Sequence, residues 1–434
     1  MEVSLGQILE ARERRVLRQN QMLAQFGKPL ICFTMNIAGP EKYSALIGLG
    51  FRLGCRRLEA ALAEENTRYC AKEEADTGCE AYYVVDADPG HLKAITCKIE
   101  EADPLGRLFD MDVITADGKE TRPIPRKCLL CGEDAVICGR SRAHTVAQLQ
   151  EATRRILTDA VAEEIGKLAV QSLLCELYTT PKPGLVDLRN SGSHTDMDLY
   201  TFLRSSGALW PYFRRCATIG MATAGATPEE TFRLLQQAGL EAEKVMYRVT
   251  GGINTHKGAI FTLGLFCGAA GRRLDFDPEV LGAECAAMTK NLSLAGHDTA
   301  GGRLYAAYGI TGARGQAMAG FPAVTKIGLP ALLGGLDLGL NRAGCGALLA
   351  ILAQVEDTNL IKRGGLEGLK KLQAELQTLR RKDPYPAPSV LEKLDDDFIR
   401  ENLSPGGSAD LLAASFFLYF LSTFVQESRR FLDF

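Results

Sequence analysis

Hydrophobic and polar residues alternate with two different periods along the chain, and the period changes near residue 158. In the first part the N-terminal stretch MEVSLGQILEARERRVLRQNQ reads as a charged amphipathic helix. Phe51–Ala71 sets Leu53, Cys55, Leu58 and Leu62 among charges, which predicts a second helix. Ile31–Ile37 and Ala81–Val85 are short apolar, aromatic and β-branched runs, which predict strands. Leu108–Thr115 alternates Phe109, Met111 and Val113 against Asp110, Asp112 and Ile114. A strand with two carboxylates on one face is expected there, followed by a turn at Asp117-Gly118.

From about residue 158 the spacing is helical throughout. Val161–Leu177, Leu199–Gly220, Pro228–Arg248, Lys257–Ala270, Pro278–Leu294, Pro330–Leu336, Gly344–Gln354, Leu366–Leu379 and Ala409–Glu427 all read as helices. Gly-rich polar segments separate them, and Lys382–Val390, rich in Pro and charge, reads as an exposed linker. The expected fold is therefore two domains. Residues 1–157 form an α+β unit and residues 158–434 a mainly α-helical one, with a site built from interhelical loops.

Composition narrows the function classes. Hydrophobic residues make up 46% and charged residues 24%, which suits folded domains and not a disordered chain. The formal charge of −3 argues against a broad nucleic-acid surface. No hydrophobic run is read as long enough to span a membrane, and Leu411–Phe424, broken by Ser415, Tyr419, Ser422 and Thr423, is expected to be a buried C-terminal helix. The N-terminus does not read as a signal peptide. The 13 cysteines are an odd number and mostly lack framework spacing, which suggests reduced thiols and a cytoplasmic setting.

Chemistry in the first part centres on Pro104–Val113. Asp110 and Asp112 are two apart on the expected strand, so both project from one face. Such a D-x-D pair can hold Mg²⁺ between protein oxygens and substrate phosphates, aligning a hydroxyl and neutralising departing pyrophosphate. The pattern is similar to the nucleotidyltransferase signature, with Gly106-Arg107 in place of its Gly-Ser turn and a shorter spacing to the pair. Two solvated aspartates on an exposed face are the alternative. Arg107, Arg126, Lys127, Arg140 and Arg142 are nearby cations for phosphates, and Asp76, Glu80, Asp86 and Asp88 are further carboxylates. Cys128-Leu-Leu-Cys131-Gly132 is a C-x-x-C-G turn, followed by Cys138 and His144. Four such ligands suit tetrahedral Zn²⁺, with a redox pair or buried free thiols as the alternatives.

The second part carries four polar clusters. Glu176 precedes a Pro- and Gly-stiffened loop with Lys182 and Asp187, and His194, Asp196 and Asp198 follow. Thr250–Gly258 holds Asn254, His256 and Lys257 at the start of an apolar helix, where backbone N–H groups can meet a phosphate. Glu356 and Asp357 end one helix, with Arg363 one loop on, and Asn402–Asp410 places Ser404, Gly406, Gly407 and Asp410 at another helix start. A weaker group runs from Gly301 to Gly315. Each cluster alone can be a helix cap plus a turn. Together they suggest a pocket for a polyphosphate with Mg²⁺, with carboxylates left for acid–base work.

These strings are where the chain resembles known enzymes. Phe33–Pro40, Glu74–Glu80, Pro104–Val113 and Arg126–Gly132 resemble apo-citrate lyase phosphoribosyl-dephospho-CoA transferase, the holo-acyl-carrier-protein synthase of citrate lyase. Thr180–Asp187, Gly251–Gly258, Val355–Asn359 and Leu403–Asp410 resemble triphosphoribosyl-dephospho-CoA synthase. The whole chain thus resembles a fusion of the two. The resemblance implies that residues 158–434 join ATP to 3′-dephospho-CoA. The 2′-hydroxyl attacks ribose C1, adenine leaves, and 2′-(5″-triphosphoribosyl)-3′-dephospho-CoA forms. It implies that residues 1–157 then transfer phosphoribosyl-dephospho-CoA to a serine of the citrate lyase acyl carrier (γ) subunit, releasing pyrophosphate.

Set beside that implication, the residues suggest roles. Asp110 and Asp112 are expected to be Mg²⁺ ligands, with Gly106 and Arg107 near phosphates. Glu176, Asp187, Glu356, Asp357 and Asp410 are the candidate carboxylates for adenine displacement. Lys182, Lys257 and Arg363 are candidates for the triphosphate, and His194, Asn254, His256, Ser404, Gly406 and Gly407 complete the expected binding loops. Two other readings compete: a Mg²⁺-dependent hydrolase of the ADP-ribose type with a zinc-knuckle adaptor domain, and a binding module without turnover. Neither a nucleic acid nor a membrane is an expected partner.

Overall fold

The computed structural model describes residues 2–294 and 300–426. The chain divides into two compact units, with divisions after Val161 and after Thr423, so that the end of the last helix belongs to the first unit. The last residue of the expected helix ending at Glu427 and the final residues of the expected second domain lie outside the described residues.

The first unit contains helix α1 (Leu5–Phe26), strand β1 (Leu30–Met35), α2 (Ala45–Ala61), β2 (Thr67–Ala75), β3 (Gly78–Val85), α3 (Pro89–Glu101), β4 (Phe109–Thr115), β5 (Gly118–Lys119) and α4 (Ala135–Ser141). Helix α5 (Val146–Tyr178) contains the first of these divisions. The five strands form one antiparallel sheet in the order β2-β3-β1-β4-β5. Period-two alternation on β4 buries Phe109, Met111 and Val113 and leaves Asp110 and Asp112 on the other face. Phe109 meets Phe33 edge-on at 5.1 Å, and Phe33 stacks on Phe51 of α2 at 5.0 Å. Met22, Leu30, Cys32, Tyr82 and Val84 form a second buried group.

One expected element is corrected here. The helix read over Phe51–Ala71 stops at Ala61, and Thr67–Ala75 is a strand. Pairing with β3 from Thr67 to Ala75 overrides the helical spacing of the leucines. Carboxylates on β2 and just after β3 serve the framework. Glu74 accepts from Arg52 and Tyr43, Asp86 pairs with Lys28 and Arg68, and Asp88 caps α3.

The second unit is helical, with no strand among the described residues. Its helices are α6 (Leu199–Ala222), α7 (Pro228–Thr250), α8 (Lys257–Arg273), α9 (Pro278–Thr289), α10 (Ala300–Tyr308), α11 (Gly312–Met318), α12 (Leu329–Gly334), α13 (Leu340–Leu352), α14 (Thr358–Lys382), α15 (Pro388–Arg400) and α16 (Gly406–Gln426). The expected linker over Lys382–Val390 is shorter than read, because Pro388 opens α15 at a helix first turn, where proline is tolerated. Helix α15 buries Leu391, Asp395 and Phe398. Helix α14 breaks at Gly365, whose φ of 74° lies in the left-handed region.

The expectation that no apolar run reaches spanning length is also corrected: Gly406–Phe424 is long and apolar enough by length and composition. Its position agrees with the buried-helix reading, since Leu411, Leu412, Phe416, Phe417, Leu418 and Leu421 are buried in the fold. The 13 cysteines are free thiols.

Candidate active sites

In the second unit, four loops separated by long stretches of sequence converge on one cavity of about 240 Å³. Its wall includes Glu176, His194, Asn254, His256, Lys257, Arg363, Ser404, Gly406 and Asp410. All of these were expected from sequence. Gly258, Asn359 and Lys362 also line it and were not singled out.

The start of α8 builds one side. Asn254 Oδ1 accepts from the Lys257 N–H at 3.2 Å, which closes the loop into the helix. His256 is 3% exposed, and its Nδ1 lies 2.8 Å from Ser205 Oγ, which also accepts from the Thr255 hydroxyl at 2.7 Å. Its Nε2 is buried with no hydrogen-bond partner among the described residues. Burial, aided by the Lys182 charge, lowers the His256 pKa to about 3, so the ring is neutral at neutral pH. At the rim, Lys257 Nζ pairs with Glu243 at 2.8 Å.

Asp410 lies in the first turns of α16 and abuts the start of α8. A Cβ on Gly258 would come within 1.8 Å of Asp410 Oδ2, so only glycine leaves room for this carboxyl. Asp410 opens onto the cavity and is otherwise surrounded by protein. Desolvation raises its pKa well above the carboxylate range, and nearby Glu176 and Asp357 raise it further against an Ala259 N–H contact.

Several expected site residues are committed to the framework. Lys182 is 1% exposed, and its ammonium donates to the Glu176 carboxylate and, at 2.7 Å, to the Glu176 carbonyl. It does not reach the cavity as a phosphate ligand, because burial demands a counter-charge and Glu176 supplies it. Asp187 accepts from the N–H groups of Lys182 and Arg189, both at 2.7 Å, and shapes the loop without lining the cavity. Asp395 holds that loop from outside, accepting from the Gly184 N–H at 2.9 Å and Asn190 Nδ2 at 2.7 Å. No helix is expected from sequence over residues 391–400, so Asp395 does not stand out there.

Asp357 is likewise structural. It caps α14 and accepts from the Ser408 N–H at 2.7 Å and hydroxyl at 2.8 Å. Gly407 packs against its carboxylate and does not line the cavity. Glu356 is exposed and also stays outside, since adjacent side chains diverge and Asp357 is the one turned inward. Arg363 Nη1 donates to the carbonyls of Ser193 and Asn402, both at 3.1 Å, and ties two loops together at the cavity edge. His194 Nε2 lies 2.8 Å from Ser404 Oγ, and burial with the nearby Arg363 lowers its pKa.

The first unit has its own cavity, of about 840 Å³, with Gly106, Arg107, Arg126, Cys128, Cys138 and His144 in its wall. Gly106 is packed so closely that a Cβ would meet the Ile99 carbonyl at 2.4 Å. Arg107 Nη2 donates to the carbonyls of Lys127 at 2.5 Å and Cys128 at 2.9 Å. Arg126 joins cavity and strand, pairing with Asp110 at 3.1 Å and donating to the Phe109 carbonyl at 2.7 Å. Asp112 pairs with Lys119 at 2.5 Å. Both aspartates are accessible oxygen donors on one strand face, and that donor set fits Mg²⁺. Glu100, unnoticed in the sequence, is 2% exposed, accepts from the Met111 N–H at 2.7 Å and pairs with Arg126, which fixes β4.

Cys128, Cys131, Cys138 and His144 come together, with ligand atoms all within 4.8 Å of one another. Burial opposes ionisation of the Cys128 thiol, but hydrogen bonds from the Leu130 and Cys131 backbone and from neighbouring thiols outweigh it and lower its pKa.

Comparison with known proteins divides the chain in the same places. Residues 3–160 match the family CitX, apo-citrate lyase phosphoribosyl-dephospho-CoA transferase. Residues 162–428 match CitG, ATP:dephospho-CoA triphosphoribosyl transferase. A relative from Haemophilus influenzae, "Protein CitXG", is 38% identical over 97% of this chain and 96% of its own length. Another "Protein CitXG", from Leuconostoc mesenteroides subsp. cremoris, is 33% identical over 96% and 97%. A 2-(5″-triphosphoribosyl)-3′-dephosphocoenzyme-A synthase from Haemophilus ducreyi is 38% identical, covering 68% of this chain and 99% of its own.

Proposed function

The chain belongs to the family of fused CitX and CitG enzymes, and on that premise we propose how its two sites divide the work. The protein is a bifunctional transferase that makes and attaches the citrate lyase prosthetic group. Residues 158–434 form 2′-(5″-triphosphoribosyl)-3′-dephospho-CoA and adenine from ATP and 3′-dephospho-CoA. Residues 1–157 pass phosphoribosyl-dephospho-CoA to a carrier-protein serine and release pyrophosphate. The citrate lyase γ subunit is the carrier.

The observation that carries the first step is the single cavity that Asp410 and His256 line together, where burial raises the Asp410 pKa and lowers that of His256. A volume of about 240 Å³ is below the usual range for a whole small-molecule site, so it suits the reacting ribose and base. The bond from ribose C1 to adenine breaks as the 2′-hydroxyl oxygen bonds to C1. Asp410 gives its proton to the departing base, and its carboxylate then receives the proton of the attacking hydroxyl. Glu176, ion-paired with Lys182, borders the cavity and fixes its wall on that side. The unpartnered His256 Nε2 hydrogen-bonds the bound substrate. Lys257, Lys362 and Arg363 at the rim meet the triphosphate.

For the second step, Asp110 and Asp112 would hold Mg²⁺, which would neutralise charge on the pyrophosphate leaving group. Arg107 and Arg126 orient the phosphates in the cavity beside the strand. The nucleotidyltransferase-like reading of this unit rests on the D-x-D strand and its cations. The serine oxygen bonds to the α-phosphorus as the bond to pyrophosphate breaks.

The test is direct. The full chain with ATP, Mg²⁺, dephospho-CoA and apo carrier subunit should release adenine and add the mass of phosphoribosyl-dephospho-CoA to the carrier. ADP or AMP as the nucleotide product rejects the first step. Adenine release without dephospho-CoA points instead to a hydrolase.

A further inference from the structure

The segment between β5 and α5 has little of its own to hold it together. Helix α4 buries none of its residues, and Val136 and Ile137 are more than half exposed. Yet the segment keeps a defined path. The Cys128 N–H donates to the Glu133 carbonyl at 2.5 Å and the Ala135 N–H to the Arg126 carbonyl at 2.8 Å, which makes a tight knuckle. Gly132 takes a φ of 75° at its tip. The Leu130 N–H points at Cys128 Sγ at 3.5 Å. Small folds without a core are stapled by disulfides or metals.

The side chains decide between the two. Cys131 Sγ lies 3.3 Å from Cys138 Sγ, far beyond the roughly 2.05 Å of a disulfide. His144 Nε2 also lies 3.3 Å from Cys131 Sγ, and Cys128 completes the set within 4.8 Å. A tetrahedral ion with bonds of about 2.3 Å to sulfur holds its sulfurs about 3.8 Å apart, and all four ligand atoms here lie within 4.8 Å of one another. Three thiolates and an imidazole are the donor set of structural zinc.

We propose that Cys128, Cys131, Cys138 and His144 bind one Zn²⁺, and that this metal fixes the backbone on which Arg107 is anchored. The link is short: Arg107 donates to the carbonyls of Lys127 and of Cys128 itself. Zinc is thus a structural requirement for the phosphate side of the first unit's cavity, and Arg107 is positioned through it. This second half rests on carrier transfer being the first unit's reaction. The metal site does not.

Metal analysis of the full chain, purified reduced and without chelator, should find one zinc per chain. Replacement by Co²⁺ should give thiolate charge-transfer and tetrahedral d–d absorption, and Cys131→Ser and Cys138→Ser should lower zinc content. Stripping the wild-type chain should cut carrier transfer about tenfold or more, restored by Zn²⁺ and not by Mg²⁺, while adenine release from ATP persists and reports an intact second unit. No zinc and no cobalt spectrum, or a Cys131–Cys138 disulfide in the purified chain, overturns the site. Full transfer by zinc-free protein overturns the link to Arg107. Zinc bound without carrier transfer under any condition leaves the site standing and sinks the functional assignment.

Discussion

Asp410 is partly buried at the cavity wall, and burial, with Glu176 and Asp357 nearby, raises the cost of its ionisation. Its pKa in the folded chain is raised above that of an ordinary carboxyl. The neutral form is therefore favoured by folding: the contribution to stability is full below the ordinary carboxylate range and is lost as pH rises through the raised value. Asp410→Asn keeps the neutral shape and removes that slope. In denaturation series across pH the variant should match or exceed the parent at neutral pH and above. Adenine release should nevertheless fall about 10²–10⁴-fold, because the amide has no proton to give to the leaving base. Retained turnover would assign the proton to another group. His256 follows the opposite sign. Its pKa is depressed to about 3, so its contribution is present above the ordinary histidine value and is lost as pH falls.

At the scale of elements, the site is a meeting of helix starts. The beginning of α8 abuts the first turns of α16 at Gly258 and Asp410, and α14 begins at Asp357, which reaches back to Ser408. Gly258→Ala tests this geometry by adding one methyl group against the Asp410 carboxyl. Alanine in place of glycine favours a helix by about 1 kcal/mol, which offsets part of the cost of the clash, and a thermal melt checks that the variant is folded. The new Cβ must push the Asp410 carboxyl aside, and adenine release should fall about 10²-fold. Normal turnover in a folded variant would show that the position of Asp410 is not critical. Much of this was legible in the sequence as separate clusters. Glu176, His256, Arg363 and Asp410 stand out because charge and glycine gather near the ends of helices, Glu176 where α5 closes and the others where α8, α14 and α16 begin. What could not be read was orientation. Lys182 looked like a phosphate ligand, yet burial turns it toward Glu176, and Glu356 and Asp357, neighbours in sequence, face different surroundings. Pairing across space also decided elements: β2 forms against β3 despite its helical spacing, and Pro388 starts α15 where prolines suggested a linker.

At the scale of the whole molecule, near-neutral charge is compatible with the two phosphate sites proposed, since each cavity has cations in its own wall: Arg107 and Arg126 in one unit, Lys257, Lys362 and Arg363 in the other. Each cavity is lined by residues of one unit alone, which predicts separable chemistry. Asp110→Asn should abolish carrier labelling, read by mass, and leave adenine release within about twofold of the parent, since sites that share no partners act independently. Asp410→Asn should do the reverse, with carrier labelling restored when purified triphosphoribosyl-dephospho-CoA is supplied. Mixing the two variants with ATP, dephospho-CoA and apo carrier should then restore labelling, because one makes the intermediate and the other consumes it. If Asp110→Asn loses both activities, or the mixture stays inactive while each variant keeps its own step, the two units are not the independent catalysts that their separate cavities imply.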